Sequence, residues 1–243
     1  MEDKKVDDIK KWQKRYCKDD MTMDQLKDIY NEWAENGYDE MMTSEIWGGP
    51  KITADTLEKV HNSDEEKMCL RILDVGAGTG KCGIELKRRG FRHVDGLEPA
   101  ENMLAKAKER KVYETYINTA MADKDLDIED GTYDAVTSSG VGGYFCSKSV
   151  RELARIVKSG GTIVFVSNYD LRPSHNVLEE TLKALANEKK ILSVKQQVRD
   201  GFLHKQRADV MVYKSTVDEN YDNYEDAIWL HSTVNHPRNH HWT

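Results

Sequence analysis

The stretch Arg71–Lys81, RILDVGAGTGK, decides the fold, because an apolar run there ends on an acid and breaks into a glycine-rich turn. The apolar residues of the run predict a buried strand of a parallel sheet, covered on both faces. Glycine lets a backbone bend sharply and approach a bound molecule without a Cβ in the way. Three glycines occupy alternate positions, Gly76, Gly78 and Gly80. The stretch therefore predicts a strand that turns tightly beneath a nucleoside-bearing ligand.

The dinucleotide fingerprint G-x-G-x-x-G fits this turn only in a late register. Begun at Gly76, where the strand ends, it requires glycine at position 81, which is Lys81. The register Gly78–Gly83 satisfies the pattern but starts two residues late. Tyr144 and Lys148 have the Tyr-x-x-x-Lys spacing of a nicotinamide-dependent oxidoreductase. That class of enzyme stays open as an alternative.

A phosphate-binding loop, G-x-x-x-x-G-K-[ST], fails twice, since Val75 would replace its first glycine and Cys82 its magnesium-binding hydroxyl. The pattern D-x-G-x-G-x-G at a strand end resembles motif I of the class I S-adenosylmethionine-dependent methyltransferases. The resemblance implies S-adenosyl-L-methionine as cofactor. It also implies a Rossmann-like three-layer α/β/α sandwich whose seven-stranded sheet is mostly parallel, with an antiparallel last strand. In this loop it assigns five residues to the cofactor, Asp74, Gly76, Ala77, Gly78 and Gly80.

A second predicted strand, His93–Leu97, ends on Glu98, about twenty residues past the glycines. A carboxylate in this position accepts hydrogen bonds from both ribose hydroxyls of a bound nucleoside. The family's similar acid-x-x-x-x-Met pattern implies that Pro99 and Met103 also contact the cofactor, with the methionine against the adenine. Met103 equally suits a place in the hydrophobic core.

The segment Asp130–Val136, DGTYDAV, resembles the family's entry into the fourth strand. Counting back from it, the resemblance places the adenine edge near Met121, Ala122 and Asp123. Asp123 lies in a polar run and equally suits a solvated loop. Beyond the strand, Ser139 and Gly140 are small and are expected to pass close to the cofactor.

The N-terminal 50 residues are predicted to form a helical lid, with residues 51–243 as a single globular methyltransferase domain. The segment Tyr30–Asp39, YNEWAENGYD, resembles a motif of the Williams-Beuren-region methyltransferase-like group. The resemblance implies that Tyr30, Trp33 and Tyr38 close over the sulfonium, an arrangement typically worth ~0.5 to 2 kcal/mol. Tyr30 and Trp33 equally suit the core stripe of an amphipathic helix. Asn31 departs from the motif's usual aspartate.

The predicted reaction is an in-line SN2 transfer of a methyl group to a small-molecule nitrogen, oxygen or sulfur acceptor. Positioning alone supplies much of such an acceleration, so no catalytic triad is required. An oxygen acceptor needs a base more urgently than an amine. The candidates for that base are Tyr38, Tyr144, His175 and His204. A protein methyltransferase and a non-catalytic S-adenosylmethionine-binding protein remain as alternatives.

Composition limits the partners. A net charge of −7 disfavours nucleic acid, whose binders normally carry a basic face. The four cysteines show no C-x-x-C spacing, and no apolar run reaches the length of a membrane span. We therefore expect a cytoplasmic protein without a membrane partner, as a monomer or weak homodimer. No metal site is assigned, although the last 13 residues hold four histidines, His231, His236, His240 and His241.

Overall fold

The computed structural model describes residues 2–17, 21–121, 125–141, 144–170 and 176–216. Among them are seven strands: β1 (Arg71–Val75), β2 (His93–Leu97), β3 (Tyr116–Ile117), β4 (Tyr133–Ser139), β5 (Val157–Asn168), β6 (Ile191–Asp200) and β7 (Arg207–Ser215). They form one sheet in the order β3-β2-β1-β4-β5-β7-β6. Every neighbouring pair is parallel except those of β7, which runs antiparallel to both β5 and β6. The predicted sheet, with an antiparallel last strand, is confirmed.

Helices cover both faces of this sheet. In the described residues they are α1 (Glu2–Tyr16), α2 (Met23–Glu35), α3 (Tyr38–Met41), α4 (Gly49–Val60), α5 (Asp64–Cys69), α6 (Lys81–Arg88), α7 (Glu101–Arg110), α8 (Ser147–Ile156) and α9 (Asn176–Asn187). Successive strand residues point to opposite faces, so each face needs its own cover. Thus Ile72 packs in a cluster with residues of α4, α6 and α7, while Leu73 packs in a second cluster with α8 and α9. The three-layer sandwich is confirmed.

The N-terminal helices pack on the first of these clusters. A capping box starts α2, since Thr22 and Gln25 exchange hydrogen bonds there. Ile9 of α1 is buried, and the Trp12 ring stacks on Trp33 of α2 with centroids 5.3 Å apart. Helix α4 crosses the boundary predicted between residues 50 and 51. The extension and the sheet therefore share one hydrophobic core.

The third strand is shorter than predicted. The pattern indicates a strand over 113–119, whereas β3 contains two residues. Tyr113 turns inward instead, and its hydroxyl donates to the Asp74 carboxylate at 2.6 Å. Its ring occupies the space where Gly83 and Gly96 lack side chains, because a Cβ on either glycine would lie 2.6 Å from a ring carbon. This buried contact of the tyrosine overrides its strand propensity.

The turn after β1 needs its glycines for two reasons. Gly76, Gly78 and Gly80 all have positive φ angles, of 73°, 53° and 88°. Residues that carry a Cβ rarely adopt positive φ angles. At Gly76 space is lacking as well, because a Cβ would lie 2.3 Å from Cγ2 of Val141. The loop and the segment after β4 are thus in direct contact.

Replacing Gly76 by Ala is expected to lower the free energy of unfolding by about 2 to 5 kcal/mol, the sum of backbone strain and overpacking. Gly90→Ala is the matched control, since Gly90 has a φ of 93° but no atom within 4 Å of an added Cβ. Urea unfolding of both variants separates the two effects. Equal losses would show that contact with Val141 adds nothing.

Candidate functional site

A cavity opens at the carboxyl ends of the central strands, where ligands of open α/β sheets bind. Its floor contains Gly76, Ala77 and Gly78 from the turn after β1, and Glu98 and Pro99 after β2. Its side walls contain Met103 of α7, together with Met121 before β4, Ser139 at the end of β4 and Gly140 directly after it. The structure therefore brings these nine predicted site residues together around one space. Their contact with a cofactor stays a prediction.

Three predicted residues lie beyond the described part of the chain. These are Ala122, Asp123 and His175. The histidine-rich C-terminal segment lies beyond it as well. Among the described residues, no group of three or more histidine, cysteine, aspartate or glutamate side chains is arranged to hold a metal ion. None of the helices given above is long and apolar enough to cross a membrane.

Glu98 is held rigidly beside the glycine turn. Its Oε2 accepts the backbone N–H of Gly78 and its Oε1 accepts that of Ala100, both at 2.9 Å. The residue is only 7% exposed, and burial raises the pKa of its carboxyl to about 7, although the two N–H donors oppose that rise. Each carboxylate oxygen keeps a lone pair for a further donor. Glu98 is therefore ready to accept two hydroxyl groups.

The raised pKa of Glu98 gives a pH dependence with a definite sign. Hydroxyl donors stabilise the charged carboxylate, so a nucleoside ligand is expected to bind best above pH 7. Below pH 7, the affinity for the nucleoside ligand should fall by up to about tenfold per pH unit. Calorimetry with S-adenosylhomocysteine between about pH 8.5 and 5.5 measures this fall. The fall should be absent in Glu98→Gln; the same profile in both proteins would assign it to another group.

Asp74 and Gly80, both predicted to contact the cofactor, do not line the cavity. Asp74 is 1% exposed and accepts hydrogen bonds from the hydroxyls of Tyr113 and Thr137. Gly80 begins α6, and a Cβ there would lie 2.7 Å from Val112. Both residues shape the turn from behind, because their side-chain positions face the core, and their contact with a cofactor stays a prediction.

Aromatic side chains from the N-terminal helices roof the cavity. Tyr30, Trp33 and Tyr38 line it as predicted, and Trp33 meets Tyr38 edge-on with centroids 4.8 Å apart. Trp33 also belongs to the hydrophobic core, as the alternative interpretation predicts, while its contact with a cofactor stays a prediction. Tyr16 of α1 joins the roof and contacts Tyr144 edge-on at 6.1 Å. The sequence did not single out Tyr16 as a site residue.

The structure argues against the tyrosines as general bases. Tyr38 and Tyr144 line the cavity, but burial raises the pKa of each phenol well above its ordinary value. The carboxylates Asp39 and Glu98 raise the pKa of Tyr38 further. Such phenols stay protonated near neutral pH. His204 does not line the cavity; its backbone N–H donates to the carbonyl of Ile46 at 2.6 Å in the turn between β6 and β7.

The roof is fastened to the glycine turn by Asp39, which sequence reasoning missed. Its Oδ1 accepts the Thr79 hydroxyl at 2.8 Å and pairs with Lys81 at 2.9 Å, while Oδ2 accepts Arg110 of α7 at 2.5 Å. Burial alone would raise the pKa of Asp39, but the Lys81, Thr79 and Arg110 contacts outweigh it and hold that pKa below its usual value. One carboxylate thus links α3, the turn after β1 and α7.

A second roof contact is made by Asn31, the residue that departs from the motif. Helix α7 begins after Ala100, which offers no side-chain cap. The Asn31 side-chain oxygen accepts the backbone N–H of Asn102 at 2.9 Å, a role normally filled by the cap residue. Asn102 in turn donates to Glu35 at 2.8 Å. The amide therefore ties α2 to the start of the helix that carries Met103.

The far wall of the cavity comes from distant parts of the sequence. Trp47 forms a β-bridge with Leu203, and the Gly48 N–H donates to the Phe202 carbonyl at 2.9 Å. Trp47, Phe202 and Leu203 all line the cavity. Gly48 packs closely, since a Cβ there would lie 2.2 Å from the Gly201 carbonyl oxygen. Gly48 before α4 and Gly201 after β6 are the features of the sequence that could have indicated this contact.

The geometry disfavours the nicotinamide-dependent alternative. Gly83 is the third glycine of the late register. The Tyr113 ring fills the space beside it, and Gly83 does not line the cavity. Lys148, the proposed partner of Tyr144, pairs with Asp125 at 3.3 Å. Tyr144 lines the cavity, but Lys148 and Gly83 do not, so neither the catalytic pair nor the glycine register is complete at the ligand space.

Comparison with known proteins agrees with the fold and the glycine turn. Residues 73–165 match the family model described as Methyltransferase domain. This match and the order of the strands agree with the predicted resemblance to the class I S-adenosylmethionine-dependent methyltransferases, which is confirmed.

Within this class, the chain is similar to methyltransferase-like protein 27 of Homo sapiens, with 27% identity over 161 residues. The match covers 65% of this chain and 64% of that protein, so it spans less than two thirds of the relative.

Solved structures show the same fold. A chain in the complex of the Haloferax volcanii Trm112 methyltransferase activator with a methyltransferase superposes with a TM-score of 0.59 and 17% identity, over 77% of this chain and 97% of that one. Magnesium protoporphyrin IX methyltransferase from Synechocystis, solved with bound S-adenosylmethionine, gives a TM-score of 0.53 and 14% identity, over 86% and 91%.

Proposed function

We propose that this chain transfers the methyl group of S-adenosylmethionine to a nitrogen, oxygen or sulfur atom of a small molecule. When bound, the cofactor supplies the methyl carbon: an acceptor lone pair bonds to it, the carbon–sulfur bond breaks with its electrons on sulfur, and the acceptor proton leaves to solvent. The chain's own residues bind and orient the reactants and exclude water. No described side chain in the cavity is needed as a dedicated base.

The observation that carries this proposal is the placement of Glu98 beside the glycine turn. Its carboxylate has two free lone pairs at the strand end, which suits the two hydroxyls of a ribose. Gly76 and Gly78 present backbone without side chains next to it. Met103 lies on the neighbouring wall, where a thioether suits contact with an adenine. The described residues therefore fit a nucleoside with an extended tail.

The aromatic roof supports a sulfonium cofactor. Tyr30 and Tyr38 line the same cavity as the glycine turn, and aromatic faces attract cations. Their phenols stay neutral, so they present faces and hydroxyls rather than negative charge. We propose that they stabilise the sulfonium and exclude water from it.

A small-molecule acceptor is favoured by the same roof. Tyr16, Tyr30 and Tyr144 lie against one another across the cavity, with centroid separations of 5.5 to 6.4 Å. The Asp39 carboxylate fixes α3 to Thr79 and Lys81 at the turn after β1. A side chain of a folded protein substrate would have to displace these contacts, whereas a small molecule can be enclosed beneath them.

Calorimetry with S-adenosylmethionine, S-adenosylhomocysteine and NAD tests the proposal. Binding of the first two and not of NAD is expected. Failure of both sulfur compounds to bind would overturn it. If they bind but no methyl is transferred to any compound of a broad amine, phenol and thiol library, the chain would be a binding protein.

We also propose a cytoplasmic protein that is monomeric or weakly dimeric. All four cysteines are free thiols, and two of them, Cys17 and Cys69, are exposed. Free exposed thiols are typical of reducing compartments. Cell fractionation and sedimentation velocity test these two points, and a secreted or tightly oligomeric protein would contradict them.

A further inference from the structure

The cavity contains two polar groups at its far wall that no protein atom satisfies. The Ser139 hydroxyl oxygen is buried without a hydrogen-bond partner, in a residue that is 6% exposed. The indole N–H of Trp47 also makes no hydrogen bond within the described residues. A buried polar group left unpaired costs about 1 to 3 kcal/mol, so the Ser139 hydroxyl points to a ligand. Trp47 is half-buried, and its N–H is a second donor on the same wall.

These two groups converge on one place. Gly49 lies between them: a Cβ built on it would stand 2.6 Å from the Trp47 Nε1 and 2.9 Å from the Ser139 Oγ. The same position would be 3.0 Å from the Phe202 ring. The Trp47 N–H and the Ser139 hydroxyl therefore lie close together beside the Phe202 ring, packed against the backbone of Gly49, and all three side chains line the cavity.

This part of the cavity is uncharged and, apart from these two polar groups, apolar. We name it the acceptor pocket and define it by the lining residues Trp47, Ser139, Gly140, Phe202 and Leu203. Gly140 keeps the two rings accessible, since a Cβ there would lie 3.4 Å from the Trp47 ring and 3.8 Å from the Phe202 ring. None of the five residues carries a charge.

The charged side chains of the cavity belong elsewhere. Among its described lining residues, the ionisable carboxyl and amines are Glu98, Lys27 and Lys81. Glu98 is bound to the glycine turn, and Lys81 is paired with Asp39. Lys27 is carried by α2 in the roof. An anionic or cationic acceptor would therefore be desolvated in the acceptor pocket without a partner, which is costly.

The sheet places the acceptor pocket suitably for transfer. Glu98 follows β2, the glycine turn follows β1, and Ser139 ends β4, which pairs with β1 on its other side. Neighbouring strands are about 4.8 Å apart, so the pocket lies roughly 10 Å from the ribose site, across the turn. A cofactor held at Glu98 and over the turn would present its reactive end toward Ser139.

We propose that the acceptor pocket binds a small uncharged aromatic molecule whose single polar group meets Ser139 and Trp47. This inference rests on the proposed function, which it extends to a substrate class. An aromatic amine, neutral near pH 7, has its lone pair available without a base. A phenol donates a hydrogen bond while it is bound, and its proton leaves to solvent when the methyl group is transferred. Both classes suit a pocket with two aromatic walls and one polar corner.

Four compounds of similar size test this class: p-toluidine and p-cresol are uncharged aromatics, p-toluate is an aromatic anion, and cyclohexylammonium is an aliphatic cation. Their dissociation constants are measured by saturation-transfer NMR on the full chain, with and without S-adenosylhomocysteine. The uncharged aromatics are expected to bind at least about tenfold more tightly than either charged compound. Equal or tighter binding of p-toluate or cyclohexylammonium would overturn the proposal.

Two neighbouring serines provide a matched pair of variants. Ser139→Ala removes the hydroxyl that faces the pocket and is expected to weaken p-cresol binding about fivefold. Ser138→Ala removes an equally buried and unpaired hydroxyl that does not line the cavity, and should change nothing. Trp47→Phe keeps the aromatic wall without its N–H and provides a second test should Ser139→Ala fail to fold.

The outcomes separate this inference from the proposed function. The sequence places Ser139 close to the cofactor, whereas this inference assigns its hydroxyl to the acceptor, so S-adenosylhomocysteine is expected to bind Ser139→Ala, like Ser138→Ala and Trp47→Phe, as it binds the unaltered chain. If Ser139→Ala weakens that binding instead, the hydroxyl serves the cofactor and the acceptor assignment is wrong. If S-adenosylhomocysteine does not bind the unaltered chain at all, the proposed function fails, while the titrations without it still decide which compounds the pocket accepts.

Discussion

Replacing Glu98 by Ala is expected to weaken S-adenosylhomocysteine binding by about 1 to 3 kcal/mol, or roughly 5- to 150-fold. The variant loses the charged acceptor proposed for the two ribose hydroxyls. It also leaves the backbone N–H groups of Gly78 and Ala100 without their present partner, so the turn after β1 loses its support. Isothermal calorimetry at pH 8, where the carboxylate is charged, measures the loss.

Two further variants show whether this loss comes from the site. Glu101→Ala removes an exposed carboxylate three residues away on α7 and should leave affinity unchanged. Glu98→Gln keeps the shape but places an amide N–H against a backbone donor, so it should also bind weakly. Unaltered binding by Glu98→Ala would remove this residue from the cofactor site.

The part of the fold that the sequence predicts is the part encoded by local patterns. Strand β2 has the predicted bounds, because the turn at Gly90 and the acid Glu98 leave room for only a short strand between them. The turn after β1 is equally local, since only glycine adopts three positive φ angles so close together. The predicted strand β2 places Glu98 at its carboxyl end, and the parallel sheet places that end at the cavity.

The remainder depends on contacts between distant residues. Tyr113 leaves the third strand because Asp74, Gly83 and Gly96 offer it a buried position, and no local pattern shows that. The far wall forms because the segment before α4 bridges the turn between β6 and β7. Propensity and periodicity carry no information on which loops meet.

The base candidates show a different limit. A tyrosine or histidine near a strand end has the right chemistry in sequence, but burial decides whether it can act. Tyr38 and Tyr144 reach the cavity and are then held neutral by the same burial that places them there. Desolvation is a property of the packed structure, so residue type alone cannot predict it.

Asp39→Asn is expected to loosen the roof and to weaken S-adenosylhomocysteine binding by about 1 to 3 kcal/mol, the range for hydrogen bonds to a charged group. The change keeps the size of the side chain but removes the charge that Lys81 and Arg110 share. It also replaces one carboxylate oxygen by an amide NH2 group, which cannot accept from Thr79, Lys81 or Arg110. Hydrogen exchange in α2 and α3 should quicken, because the link from α3 to Thr79 and α7 is lost.

The pH profile distinguishes this link from a general loss of stability. The pKa of Asp39 lies below its usual value, so its stabilising contribution is present above the unfolded pKa of about 3.8 and is lost as pH falls through the folded value. The difference in unfolding free energy between Asp39→Asn and the unaltered chain should therefore stay constant near neutral pH and shrink only in acid. Asp28→Asn, an exposed change on α2, should show no difference at any pH. A difference already shrinking near neutral pH would mean that another group, and not Asp39, fastens the roof.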